Sequence, residues 1–289
     1  DTATSLSQLN TIKTRVDAAN QGSGSVTHTA VTDTYANLTD TDDAKAGSSS
    51  VNIVGKTVVV TTGARIAQLN ALKTTVQNGD GNVSFTHNAV TDLRANLLAE
   101  LNNNAGAMLA GKTNLVEDSI SIANGESLET LVGNLQGNGT LAYNLVTDTA
   151  ANIADDNDTA AGQAKAITNK AVTISDATTL ARLATIETRV GNNGSVSYTA
   201  VDDTRQNLNT QISGNDAGSK LANKTVTVSD SISLAHGEAL ESAVAGISGQ
   251  QSGTLAYNKV TDSSTNLSAS NTAAGQTRAI TGKTIIVNT

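Results

Sequence analysis

The sequence predicts an α/β repeat protein: a solenoid of about ten strand-helix coils with a stacked parallel sheet. Three observations carry that prediction. Val-Thr-Asp-x-x-x-Asn-Leu or a near copy recurs five times, with its Asp at 33, 92, 148, 203 and 262. A Lys precedes a β-rich run once per repeat, at Lys56, Lys112, Lys170, Lys224 and Lys283. Each repeat divides into two similar halves of about 28 residues, each reading strand, cap, helix, and that is the size of one solenoid coil. The alternatives are a string of small α+β domains and a pure β-helix. The absence of proline and of long linkers weighs against the first, and helical Leu/Ile stripes against the second.

The Asp residues are spaced by 59, 56, 55 and 59 positions, which sets five units: 1–60, 61–117, 118–174, 175–228 and 229–289. In each first half a strand runs into a helical stripe. After Val172-Thr-Ile-Ser-Asp176, for example, Leu180, Leu183, Ile186 and Val190 share one helix face. In each second half a short strand precedes the repeated Asp, and a short helix carries the Asn-Leu pair. The Gly or Asn before each Lys reads as a turn entering a strand. Units 3 and 5 form one subtype, with Asp-Ser-Ile-Ser and Gly-Thr-Leu-Ala-Tyr-Asn. Units 1, 2 and 4 carry a Leu-x-x-Leu-x-x-Ile/Leu run instead. Ten coils at a strand spacing of ~4.8 Å would make a rod or arc on the order of 50 Å.

Composition excludes several functions. The net charge of −8 argues against nucleic acid as a partner. No run approaches the length of a membrane span, so no membrane insertion is expected. With no Cys there are no disulfides and no thiolate metal sites. A chain of 289 residues without proline suits a backbone committed to regular ladders. The chain starts at Asp1 without a signal peptide, which reads as a mature form, a processed form or a segment of something longer.

Repeated Asp33, Asp92, Asp148, Asp203 and Asp262 could serve as acids or cation ligands. Their position before a helix instead predicts N-caps, with the carboxylate accepting a free helix N–H. The Asn four residues on is expected either to close the helix or to bond a neighbouring coil. His28, His87, Tyr143, Tyr198 and Tyr257 each lie five residues before the repeated Asp. One position thus alternates His and Tyr, which keeps shape but not metal binding or base chemistry. It predicts a structural aromatic ladder between adjacent coils, half-buried with wet polar tips, ahead of a ligand-stacking row. His236 stands alone and is expected at the surface.

No cofactor is expected. Two acidic loops are the only Ca²⁺ candidates: Asp40, Asp42 and Asp43, and Asp155, Asp156 and Asp158. Neither matches an EF-hand or an RTX nonapeptide. Gly-Lys-Thr at Gly55, Gly111 and Gly282 lacks the upstream glycine of a phosphate loop and leads into a strand. No nucleophile elbow or metalloprotease motif is present, and no unit carries acids or bases that the others lack. An enzyme is therefore not expected.

Thr225–Asp230, Val146–Ile153 and Ala279–Thr284 together resemble tandem repeats of very large bacterial surface and secreted proteins. These are the S-layer-like and adhesin-like arrays of cyanobacteria and proteobacteria, and the resemblance covers the whole chain. It implies an extracellular or cell-surface structural role and supplies no catalytic residues. The predicted strand at Lys283–Val287 and the predicted helix within Asp1–Val16 show no atypical capping unit. Head-to-tail stacking follows as an expectation, into a filament or within a longer array, with the chain itself as partner. A glycan- or receptor-binding module of an adhesin or virion fibre is the second expectation.

Overall fold

In a computed structural model of the chain, residues 4–19, 25–40, 53–78, 80–154, 167–213, 219–245, 254–268, 280 and 282–288 are described. They form an α/β protein of small parallel sheets, each of two or three strands, with ten α-helices among the described residues and no closed barrel. The chain divides into two compact units, Asp1–Asn144 and Leu145–Thr289. That division falls inside the third sequence repeat.

The first unit runs α1 (Leu6–Ala19), β1 (Ala30–Asp33), α2 (Tyr35–Thr39), β2 (Thr57–Val60), α3 (Ile66–Gln77), β3 (Phe85–His87), β4 (Ala89–Asp92), α4 (Arg94–Asn104), β5 (Thr113–Val116), α5 (Ile122–Gly133) and β6 (Thr140–Tyr143). Its sheets are β1-β2-β3 and β4-β5-β6. Every pair is parallel and joins a strand to the next one along the chain: Ala30 opposes Thr57, Val58 opposes Phe85, Ala89 opposes Thr113 and Thr113 opposes Thr140. Asn88 hands one sheet to the next. Its N–H donates to Val60 and its carbonyl accepts from Thr113. A bridge between Ala64 and Val90 continues the pairing across the handover, and Thr4 bridges to Val31 in the same way.

The second unit repeats the plan. It runs β7 (Leu145–Asp148), α6 (Ala150–Ala154), β8 (Ala171–Ile174), α7 (Leu180–Val190), β9 (Ser195–Ser197), β10 (Ala200–Asp203), α8 (Arg205–Ser213), β11 (Thr225–Val228), α9 (Leu234–Ala245), β12 (Thr254–Tyr257), β13 (Lys259–Ser263), α10 (Ser264–Ser268) and β14 (Thr284–Asn288). The sheets are β7-β8-β9, β10-β11-β12 and β13-β14, all parallel. Bridges from Thr178 to Val201 and from Ile232 to Val260 span their junctions.

Period-two alternation explains the strands. Val31, Val58, Val90, Val172, Val201 and Val226 point inward and are fully buried, while Thr57, Thr86, Thr113, Thr173 and Thr225 point out and are exposed. The helices supply the other wall of the core. Leu69, Leu72 and Val76 of α3, and Leu183, Ile186 and Val190 of α7, are buried on one stripe. Burying each such side chain stabilises the fold by about 1.5–3 kcal/mol. The turn before each Lys has a steric basis. Gly55, Gly111, Asn169, Asn223 and Gly282 all have φ between 60° and 74°, a left-handed backbone that Gly and Asn tolerate best.

One inward position breaks the pattern. Asn114 of β5 stands where Val58, Val172 and Val226 stand in other coils, and it is fully buried. Its Nδ2 donates to the carbonyls of Leu109, Lys112 and Thr140, while its Oδ1 has no hydrogen-bond partner. The Leu109 and Lys112 carbonyls also accept backbone N–H groups from Lys112 and Thr140. Asn114→Val is therefore expected to stabilise the first unit by about 1 kcal/mol, because it removes a buried unsatisfied oxygen. Urea denaturation followed by circular dichroism measures this, and a loss of stability would contradict it.

Candidate functional site

The repeated Asp is the last residue of its strand in four repeats, and Asp262 is the last but one of β13. The N-cap of the helix that follows is the next residue, and the side chains of Thr34, Thr149, Thr204 and Ser263 accept the N–H of the Asn three positions on. At Leu93 no side chain performs that role. The Asp side chain does something the sequence did not suggest. Its Oδ1 accepts two hydrogen bonds within its own repeat. One comes from the next backbone N–H, at 2.8 Å in all five repeats. The other comes from Nδ2 of the repeated Asn, at 2.7 Å in all five, from Asn37, Asn96, Asn152, Asn207 and Asn266. The Asn thus holds its own Asp, where helix closure or a bond to another coil was expected.

In four of the repeats Oδ2 reaches back to an earlier helix. Asp33 accepts from the N–H of Leu6, Asp92 from Ile66, Asp203 from Leu180 and Asp262 from Leu234, at 2.8 to 3.1 Å. Each donor is the first residue of a long helix, 23 to 28 residues earlier in the sequence. These N–H groups have no partner within their helix, and the positive end of the helix dipole favours the carboxylate. Each of these four Asp residues therefore clamps the start of the long helix before it, and the Asn fixes its rotamer. The Asn266 side chain, more than any other group, holds the Asp262 carboxyl below its ordinary range, with the Ser263 and Leu234 N–H groups adding to the effect against partial desolvation.

A second set of acceptors serves the alternate helices in the same way. Tyr35 N–H donates to Thr62 Oγ1, Arg94 to Asp118, Ala150 to Asp176 and Arg205 to Asp230, at 2.7 to 3.0 Å. The sequence places Asp176 before α7 and so suggests it as a cap for that helix. It holds α6 of the coil before. The signal that could have revealed this is the narrow range of offsets, 24 to 26 residues, between Asp118, Asp176 and Asp230 and the earlier helix start.

The His/Tyr position falls at the ends of β3, β6 and β12, just after β9 and just before β1, and its side chains meet helices and backbone carbonyls. Tyr143 and Tyr257 are buried with their rings against Gly125 and Gly237, helix positions that are Leu69 and Leu183 in the other subtype. A Cβ at Gly125 would come within 3.0 Å of the Tyr143 ring. His87 and half-buried Tyr198 reach forward instead. His87 Nε2 lies 2.7 Å from the Met108 carbonyl and Tyr198 Oη donates to the Lys220 carbonyl at 2.8 Å, and both carbonyls sit four residues before a repeat Lys. Lys224 and Lys283 lie over the rings of Tyr198 and Tyr257. His28 is half-buried.

Burial lowers the pKa of His87, against the raising effect of its bond to Met108, and pushes the Tyr143 and Tyr198 hydroxyls up to about 12. The unfolded His87 takes up a proton near pH 6.5, whereas the native side chain resists it. Stability is full above that pH and falls as pH drops from there toward the lowered native pKa. His87→Tyr, which copies the residue found at Tyr198, is expected to stay within about 1 kcal/mol of the parent at pH 8 and to lose the His87 contribution to the fall between pH 7 and 5. Urea midpoints across pH measure this. An unchanged pH profile would show that His87 is not buried neutral.

Among the Ca²⁺ candidates, Asp40 follows α2 and its N–H donates to the Asn37 carbonyl. Asp42, Asp43, Asp155, Asp156 and Asp158 lie outside the described residues. Among the described residues no group of three His, Asp or Glu side chains is placed to hold a metal ion, and no helix is long and apolar enough to cross a membrane. His236 is exposed at the start of α9, with Nδ1 2.6 Å from Ser233 Oγ and Nε2 3.1 Å from Arg205. Ser233 Oγ also accepts the His236 N–H, so the pair reads as a helix cap. The site as a whole is a set of carboxylates turned toward backbone donors of earlier helices, an arrangement that suits cohesion. Comparison with protein-family models, curated proteins and solved structures finds no match to this chain.

Proposed function

We propose that the chain is a structural repeat protein of the cell exterior, built as an α/β solenoid of about ten coils. It forms or belongs to a filament, fibre or surface layer by head-to-tail stacking. The observation that carries this reading is the clamp. Successive coils are tied by parallel strand pairs and by a side chain, carboxylate in all but one case, on the first N–H of the helix before. The polar machinery is spent on cohesion between coils, and it is repeated without one distinguished copy. Electron microscopy of the purified chain tests the architecture. Rods with a length of about 4.8 Å per coil are expected, and compact globules would refute it.

A binding module of an adhesin or virion fibre is the second reading. It is favoured by the outward strand face, where Thr57, Thr86, Thr113 and Thr140 of the first unit are exposed and uncharged. A glycan array would separate the two, because only the binding module needs a ligand.

A further inference from the structure

The sequence contains four Asn-Gly pairs, at Asn78, Asn124, Asn138 and Asn193. Such a pair can react with itself. The Gly backbone nitrogen attacks the Asn side-chain carbonyl carbon, and Gly leaves that approach open because it has no Cβ. Gly79 lies outside the described residues, and the fold sets the other three pairs apart. Gly125 sits within α5, and its N–H donates to the Ser121 carbonyl. The Gly194 N–H donates to the Gly191 carbonyl at 3.4 Å. The Gly139 N–H meets no acceptor among the described residues, and Asn138 is exposed.

Packing selects this reactive pair. Asn138 has a φ of 53°, a left-handed backbone that Gly and Asn tolerate best. A Cβ at position 139 would lie 2.8 Å from the Leu109 carbonyl oxygen and 3.1 Å from a Val132 methyl, so Gly is the residue that fits there. We propose that Asn138 is a self-modifying site, where the chain converts its own amide to a carboxylate. The Gly139 nitrogen loses its proton to solvent and bonds to Asn138 Cγ. The Cγ–Nδ2 bond breaks, and Nδ2 takes up a proton and leaves as ammonia. Water then opens the resulting succinimide at either carbonyl. One product is Asp. In the other, isoaspartate, the main chain runs through Cβ and Cγ and is one carbon longer. Both add one negative charge. The extra carbon matters at this turn. The Thr140 N–H donates to the Lys112 carbonyl at 2.9 Å, tying β6 to β5, and a Cβ on Gly137 would lie 3.2 Å from Gly111 Cα. Lengthening the chain between these two contacts displaces one of them, so the modification is a mark of age that loosens β6 on β5.

Peptide mapping of the chain incubated at pH 8 reads the conversion site by site. Asn138 is expected to convert about threefold faster than Asn193, whose Gly N–H must first leave a hydrogen bond. Asn124 is expected to stay intact. In urea, where neither turn nor helix persists, the three rates are expected to converge. Asn138→Gly keeps the left-handed turn without an amide to lose, and ion exchange should then show no acidic species arising at this turn. Freshly purified Asn138→Asp carries the charge without the added carbon. Hydrogen exchange at the Thr140 amide is expected to quicken about fivefold in the isoaspartyl form, the effect of one lost net hydrogen bond, and to keep the parent rate in Asn138→Asp. Conversion at Asn138 no faster than at Asn193, or the native ranking persisting in urea, would overturn the site. An unchanged Thr140 amide in the isoaspartyl form would overturn its effect on β6.

Discussion

Asp203→Ala is expected to destabilise the second unit by about 3 kcal/mol, since hydrogen bonds to a charged group contribute about 1.5–3 kcal/mol and their loss leaves donors unpaired. Three donors lose their acceptor at once: the Leu180 and Thr204 N–H groups and the Asn207 amide. Asp203 is only 4% exposed, so water cannot readily replace it. Asn207→Ala removes one of those bonds and leaves the carboxylate on Leu180, so a smaller loss of about 1 kcal/mol is expected. Asp203→Asn should recover less than half of the alanine loss, because its new NH2 group would face another donor. Urea denaturation gives the magnitudes, and hydrogen exchange at the Leu180 amide gives the place. If Asp203→Ala and Asn207→Ala cost the same, the reach to the preceding coil contributes nothing.

Gly125→Leu is expected to destabilise the first unit by about 2 kcal/mol. Overpacking against the buried Tyr143 ring contributes about 3 kcal/mol, offset by just under ~1 kcal/mol of helix propensity gained over Gly. Adding Tyr143→His converts this repeat to the pairing of Leu69 with His87, which the fold already accommodates. The double variant should regain most of the loss, with a coupling of about 2 kcal/mol in a double-mutant cycle. Additive effects would mean that the Gly and the Tyr do not share one space.

Much of the element pattern was legible because it is local. Alternating Val and Thr mark the strands, the Leu180-to-Val190 stripe marks α7, and the Gly or Asn before each Lys marks a left-handed turn. The partners of the polar groups were not legible. A nearest-neighbour capping rule assigns Asp203 to α8 and Asp176 to α7, whereas the carboxylates bond the starts of α7 and α6, one coil earlier. These helix N-termini lie within hydrogen-bond reach of carboxylates 23 to 28 residues later, and no periodicity reports that distance. The Asn of the motif was undecided for the same reason: its target is set by the rotamer of an Asp already committed to another coil. The surroundings of the His/Tyr position were not legible either, because the helix residue facing it comes from an earlier stretch of chain. The Gly125–Tyr143 and Gly237–Tyr257 pairs were visible as subtype differences, but only packing gives those differences meaning.

The backward reach of the clamp has a consequence for synthesis. A chain leaves the ribosome N-terminus first, yet the first N–H of α1 waits for Asp33, and that of α3 waits for Asp92. Helices of 12 to 14 residues are marginal alone in water, and a missing cap costs about 1 kcal/mol more. Each coil is thus completed by its successor, so order trails the growing end by one coil. The most recently made stretch therefore stays pliable until the acceptor that follows it has been made.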